Sequence, residues 1–198
     1  MVRDLFIDGY VDVCIMQSTY LTDFFKNGFN TTEQNAVLKR MYPDRVILNG
    51  AWDPRDGDDG PMGLNNLRRL KAEYDIPGVK LYTAEWKGAS KGYKLTDPEA
   101  KRYLEECVRL GIRNVHVHKG PTIWPLNRDA FDVADIDDVA TEFQELNFIV
   151  EHCGLPRLED FCWIATQETN VYGGLAVVMP FIHSRPRYFA EVMANLLY

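Results

Sequence analysis

The stretch Asn114-Val-His-Val-His-Lys-Gly120, answered by Phe148-Ile-Val-Glu-His-Cys-Gly154, decides how this chain reads. Each is a short apolar run that closes on histidine and meets glycine within two residues. Such runs read as strands that exit into a loop or a helix start. Side chains alternate along a strand, so His116 and His118 share a face while Val115 and Val117 point the other way. By the same rule Phe148, Val150 and His152 share a face, which places His152 at the mouth of its strand. Two histidines ending nearby parallel strands suggest a metal or acid–base site, because side chains at such ends converge on one face. Each also has a plainer reading as a hydrogen-bonded histidine of the core or strand end. That reading is the favoured one for His116, about two rises of 3.3 Å deeper.

Outward from this pair, short β-type runs recur at residues 11–17, 45–52, 78–84, 114–118, 147–153 and 171–178. Their starts fall roughly 33 residues apart with one shorter step, the period of a strand–helix unit rather than a hairpin. Helical patterns fill the gaps. Thr96-Asp-Pro-Glu99 combines a capping residue, a first-turn proline and a glutamate three residues on. Ala100, Tyr103, Leu104, Cys107 and Val108 then form an apolar stripe, and Gly111 follows as a stop. Leu67, Leu70 and Tyr74 repeat the pattern, as do Val139, Phe143 and Leu146. The class is α/β with a parallel sheet.

Residues 1–8 read as the last turns of a helix stopped by Gly9. Residues 184–198 read as a helix begun by a capping Ser184, with Phe189, Val192, Met193, Leu196 and Leu197 on its apolar side. Six strands with an incomplete element at each edge predict a partial (β/α)8 TIM barrel, its first and last strands missing, in a single domain over residues 1–198. An open doubly wound sheet is the alternative, since periodicity does not separate the two.

With 198 residues, 46% of them hydrophobic, the chain can build one sizeable core. A net charge of −7 without a basic stripe argues against a nucleic-acid or anionic-membrane partner. No apolar run approaches a membrane span, and the first five residues carry no signal-peptide pattern. The four cysteines lack a Cys-x-x-Cys spacing and read as free buried thiols, from which a cytoplasmic location is expected.

Trp52, Trp86 and Trp124 each follow a different strand, so all three are expected on the rim that binds substrate, whereas Trp163 falls in a helix pattern and is expected in the core. Lys87, Lys91, Lys119 and Arg128 occupy the same rim loops and could pair with a substrate carboxylate. A solvated surface role is the plainer reading for any one of them. Lys80, inside a strand, needs a partner if buried. The acidic stretch 53–60 lacks the spaced ligands of a calcium loop and reads as a solvated turn into a helix. No nucleophile elbow, phosphate loop or dinucleotide fingerprint is present.

The order of motifs is helix Leu104-Glu-Glu-Cys-Val-Arg-Leu-Gly111, strand ending at His118, loop, strand ending in His152-Cys-Gly, helix, then Asn170-Val-Tyr-Gly-Gly174. This order resembles the amidohydrolase-related family, in the branch of aminocarboxymuconate-semialdehyde decarboxylase and its hydrolase relatives. Arg185-Pro-Arg-Tyr-Phe189 and Leu196-Leu-Tyr198 are similar to the family segment before its last metal-bearing strand. The resemblance covers residues 5–197. It implies one divalent metal, usually zinc, with His118 as the fifth-strand ligand and His152 as the sixth-strand histidine beside metal-bound water.

The chain departs from that family in three places. The first-strand His-x-His pair and the closing aspartate have no counterpart, and Cys153-Gly154-Leu155-Pro156 lacks a longer glycine run. Taking His116 and His118 as the first-strand pair instead would discard three strand–helix units. One imidazole does not hold zinc against water, so the chain by itself is expected to be inactive. The expected parent reaction is attack of metal-activated water on a small carbonyl-type or carboxylate-bearing substrate. Non-oxidative decarboxylation at the same site is the second reading. A third is an inactive fragment completed by missing segments or a partner, a homo-oligomer included, because open edges of apolar strands recruit other chains.

Overall fold

Thr31 begins the first long helix with a capping box: its hydroxyl accepts from Gln34 N at 3.3 Å, and the Gln34 side chain accepts from Thr31 N at 2.9 Å. The computed structural model describes residues 2–21, 25–26, 28–85, 91–121, 124 and 126–197. These fall into two compact units, Met1–Lys80 with Leu110–Ile112, and Leu81–Arg109 with Arg113–Tyr198.

In the first unit, a helical segment Asp4–Asp8 ends at Gly9, as expected. Strand β1 (Cys14–Met16) pairs in parallel with β2 (Val46–Leu48), and α1 (Thr32–Met41) lies between them in sequence. The expected run 45–52 is two strands, because the chain leaves the ladder at Asn49 and re-enters as β3 (Gly50–Ala51), parallel to β4 (Gly78–Leu81). Helix α2 (Leu64–Tyr74) buries Leu64, Leu67 and Leu70. The helix and the residues just after it come so close to β3 that a Cβ on Gly50 would stand 3.3 Å from Leu70 Cδ1 and 2.6 Å from Ile76 Cδ1. Full burial of such a leucine stabilises by about 1.5–3 kcal/mol. The acidic stretch is a turn into α2: Asp53 caps the short 3-10 turn Pro54–Asp56, and Asp56 accepts from Met62 N at 2.8 Å.

The second unit holds β5 (Asn114–His118), β6 (Asn147–Glu151) and β7 (Val171–Gly174), parallel throughout, with β6 paired to both β5 and β7. Helix α3 (Pro98–Leu110) buries Ala100, Tyr103, Leu104 and Cys107. It starts one position later than Thr96 suggested: Asp97 takes the cap, and its carbonyl accepts from Lys101 N at 3.0 Å. Gly111, at φ 70°, ends it in the left-handed region. Helices α4 (Ala134–Glu142) and α5 (Leu158–Gln167) follow β5 and β6. Asn170 ties α4 to the strands, its amide donating to the carbonyls of Ala140, Phe143 and Leu146.

Two expectations about this unit are corrected. Trp163 is 76% exposed, because it lies about 200° around α5 from the buried Phe161. Ser184 does not cap the last helix: it ends the short α6 (Phe181–Ser184) and donates to Pro180 O at 3.3 Å. The following α7 (Pro186–Leu197) starts instead at Pro186, whose fixed φ suits a first turn. Cys107 and Cys153 are buried and Cys14 and Cys162 half-buried, all four as free thiols. Among the described residues no helix is long and apolar enough to cross a membrane.

Candidate functional site

The register of β5 and β6 sets which side chains can meet. His116 pairs with Ile149 and His118 with Glu151, so these four share one face, while Val115, Val117, Phe148 and Val150 share the other. The latter four are buried apolar residues. Strict alternation would therefore carry His152 to the side of Val150, away from His118. The chain does otherwise. Strand β6 ends at Glu151, and His152 (φ 64°), Cys153 (φ 51°) and Gly154 (φ 66°) are all left-handed. This turn swings the His152 ring back, placing its Nε2 at 3.1 Å from His118 Nδ1 with ring centroids 4.5 Å apart. A left-handed non-glycine residue costs on the order of 1 kcal/mol, so the surroundings must hold His152 there.

Those surroundings are specific. His152 Nδ1 lies 2.8 Å from Ala176 O, a carbonyl that can only accept, so Nδ1 carries the proton. With both rings neutral, His152 Nε2 is then the acceptor and His118 Nδ1 the donor. His118 is stacked on Tyr82 at 5.0 Å and tilted against Phe131 at 4.8 Å. Deeper, His116 Nδ1 meets Glu151 Oε1 at 3.1 Å, both side chains buried. Gly174 leaves room for that carboxylate, since a Cβ there would stand 2.6 Å from Glu151 Oε2. Burial pushes the Cys153 thiol up to about 11, with Cys162 and Glu151 adding to the shift. At neutral pH it is a protonated packing residue and no nucleophile.

The other expected site residues are dispersed. Lys119 is 1% exposed and lies 2.7 Å from Asp135 Oδ1. A cation so enclosed is paired inside the protein, which corrects its placement as a solvent-facing rim residue. Arg128 is exposed in the short 3-10 turn Arg128–Phe131, and Lys91 pairs with Asp129 at 3.2 Å. Trp124 is 91% exposed. Trp52 and Lys80 are buried within the first unit, so Trp52 presents no open face there. Trp86 and Lys87 lie outside the described residues.

Sequence reasoning missed Glu151, Tyr82, Phe131 and Asp135. Only Glu151 carried a signal, as a carboxylate next to a strand-end histidine. The metal can be tested against the donors present. Two nitrogens bound at 2.0–2.1 Å to one tetrahedral ion stand about 3.3 Å apart, close to the observed separation. That arrangement and the hydrogen bond exclude one another, and with the proton on His118 Nδ1 it is His118 Nε2 that is left as the nitrogen for an ion. Among the described residues no group of three or more His, Cys, Asp or Glu side chains could hold a metal ion.

Parallel strand–helix units, with imidazoles gathered where two neighbouring strands end, define an α/β protein with a candidate site at its strand ends. The family model described as amidohydrolase matches residues 15–198, so the chain belongs to the amidohydrolase family, as the sequence resemblance indicated. An uncharacterized TIM-barrel protein from Bordetella bronchiseptica is similar in structure: 16% identity, TM-score 0.69, 87% of this chain and 58% of that one. That likeness shows the fold. A 4-oxalomesaconate hydratase from Rhodopseudomonas palustris aligns at 19% identity and TM-score 0.49, over 72% of this chain and 46% of that one. A 2,6-dihydroxybenzoate decarboxylase from Rhizobium aligns at 18% identity and TM-score 0.45, over 67% and 46%. Neither of these two bears on the reaction. The chain thus spans 58% of the first of these structures and 46% of each of the other two. No curated protein sequence matches the chain.

Proposed function

We propose that this chain supplies the His118–His152 edge of a metal-dependent hydrolase site acting on a small carbonyl-type or carboxylate-bearing substrate. The 3.1 Å contact between His152 Nε2 and His118 Nδ1, on neighbouring parallel strands of an amidohydrolase-family chain, carries this reading. When bound, a divalent ion, zinc being the one expected, would supply Lewis-acid activation of water near neutral pH. His118 is the residue to hold it. His152, its Nδ1 proton directed at Ala176 O, keeps Nε2 as the atom that takes and returns a proton. Trp124 and Arg128 are the substrate contacts of this reading, supported by their exposure on the chain after β5. Arg128 suits a carboxylate because Lys119 is engaged by Asp135. One imidazole does not close a divalent shell, so this reading takes the remaining donors from outside the described residues.

The test uses a protein carrying these 198 residues within a closed barrel. Stoichiometric zinc and incorporation of labelled water into product are expected. Carbon dioxide release without label would replace hydrolysis by decarboxylation at the same site. A closed barrel that binds no divalent metal would sink the proposal.

A further inference from the structure

Gly120 lies two residues beyond His118, and its backbone is outside the left-handed region. No torsion there calls for glycine. The space does: a Cβ at this position would stand 2.7 Å from Cδ2, 2.8 Å from Cβ and 3.0 Å from Cγ of His152. Contacts under 3.0 Å force a shift, and neither of the two atoms that close, Cβ and Cδ2, is the free end of a flexible side chain. The opposite side of the ring is fixed by Ala176 O at 2.8 Å, and its backbone is already left-handed at φ 64°. The ring therefore has no retreat that keeps both restraints.

We propose that Gly120 is a positioning residue for His152. Its missing side chain opens the slot in which the imidazole lies, and that slot brings Nε2 to His118. The end of β5 thus supplies the ligand candidate at position 118 and the loop leaving it, two residues on, the seat for its partner from β6. This inference rests on the site reading above, and makes glycine at position 120 part of the site rather than of the turn.

Three variants test it: Gly120→Ala, His152→Gly and the double variant, with Gly111→Ala as control. Gly111 sits at φ 70° with nothing within 4 Å of an added Cβ, so alanine there strains the backbone without touching the pair. Ring-nitrogen NMR of histidine-labelled protein is expected to show His118 and His152 both protonated at Nδ1 and hydrogen-bonded to each other. Gly111→Ala should keep that signature while lowering the melting temperature, and Gly120→Ala should lose it. Gly120→Ala should also lower the melting temperature in the parent but not in His152→Gly, where all three clashing atoms are gone. An unchanged signature in Gly120→Ala, or an equal thermal loss in both backgrounds, overturns the inference. A Zn2+ titration of the closed barrel separates the two ideas. Gly120→Ala should weaken Zn2+ binding by about tenfold or more, as loss of an orienting neighbour does. A parent that shows the paired signature yet takes no Zn2+ refutes the metal reading, and leaves the role of Gly120 standing.

Discussion

Lys119 Nζ and Asp135 Oδ1 lie 2.7 Å apart, with both side chains almost wholly shielded from water. Asp135 also accepts from Leu95 N at 2.9 Å, so one carboxylate joins the end of β5, the start of α4 and the segment before α3. Removing one member leaves an unpaired buried charge, a loss of about 3–5 kcal/mol. Lys119→Met and Asp135→Leu should each lower the urea midpoint by that equivalent. The double variant should recover part of the loss, since no lone charge remains. Additive losses would show that the pair is not the coupled unit.

His118 and His152 should fail in different ways within a closed barrel. His118→Ala is expected to lose bound metal, read by elemental analysis. His152→Gln, whose amide oxygen can still accept from His118 Nδ1, should keep the metal while kcat falls by about 10^2–10^4, the usual contribution of a positioned acid–base group. Equal metal loss in both would make His152 a ligand instead.

The Asn170 amide donates to Ala140 O at 3.1 Å, Phe143 O at 3.3 Å and Leu146 O at 2.9 Å. Asn170→Ala leaves these carbonyls without that donor and should cost about 1–3 kcal/mol. Asn170→Asp should be worse at pH 7, because a carboxylate has no proton to offer three acceptors. Its melting temperature should recover toward that of the alanine variant as the pH is lowered and the acid regains its proton.

Glu168 accepts from Gln167 Nε2 and Thr141 Oγ1, both at 3.0 Å, and these bonds, with a further one from Gln144, hold its carboxyl below the ordinary 4.5. A depressed folded pKa means that the unfolded chain binds its proton first as the solution is acidified. The stability contributed is therefore complete above pH 4.5 and is lost as pH falls through the folded value. Glu168→Gln should flatten the acid limb of the urea midpoint against pH. An unaltered limb would assign the acid loss to other carboxylates.

The sequence made β5 legible because alternation, β-branched residues and Gly120 all mark the same five positions that pair in the structure. Helix α3 was equally clear, its stripe buried from Ala100 to Cys107 and only half-buried at Val108. The approach of His152 to His118 was expected for a reason that does not operate. Alternation sends position 152 to the valine face, and only the left-handed turn after Glu151, invisible to a period-two pattern, brings it back. Lys119 was misplaced because its partner is 16 positions away on a helix, where neither spacing nor composition points to it. Trp163 was misplaced because an apolar residue in a helical run does not declare its own face; Phe161, two positions earlier, took the inward one.

Position 152 shows how a turn can be kept in a torsion that its residue disfavours. The left-handed backbone alone would suit glycine, by on the order of 1 kcal/mol. The buried ring offsets this through its bonds to Ala176 O and His118 Nδ1, which glycine would forfeit along with the space the ring fills. The imidazole thus anchors the bend that aims it, and shape and reactivity at this codon are inherited together.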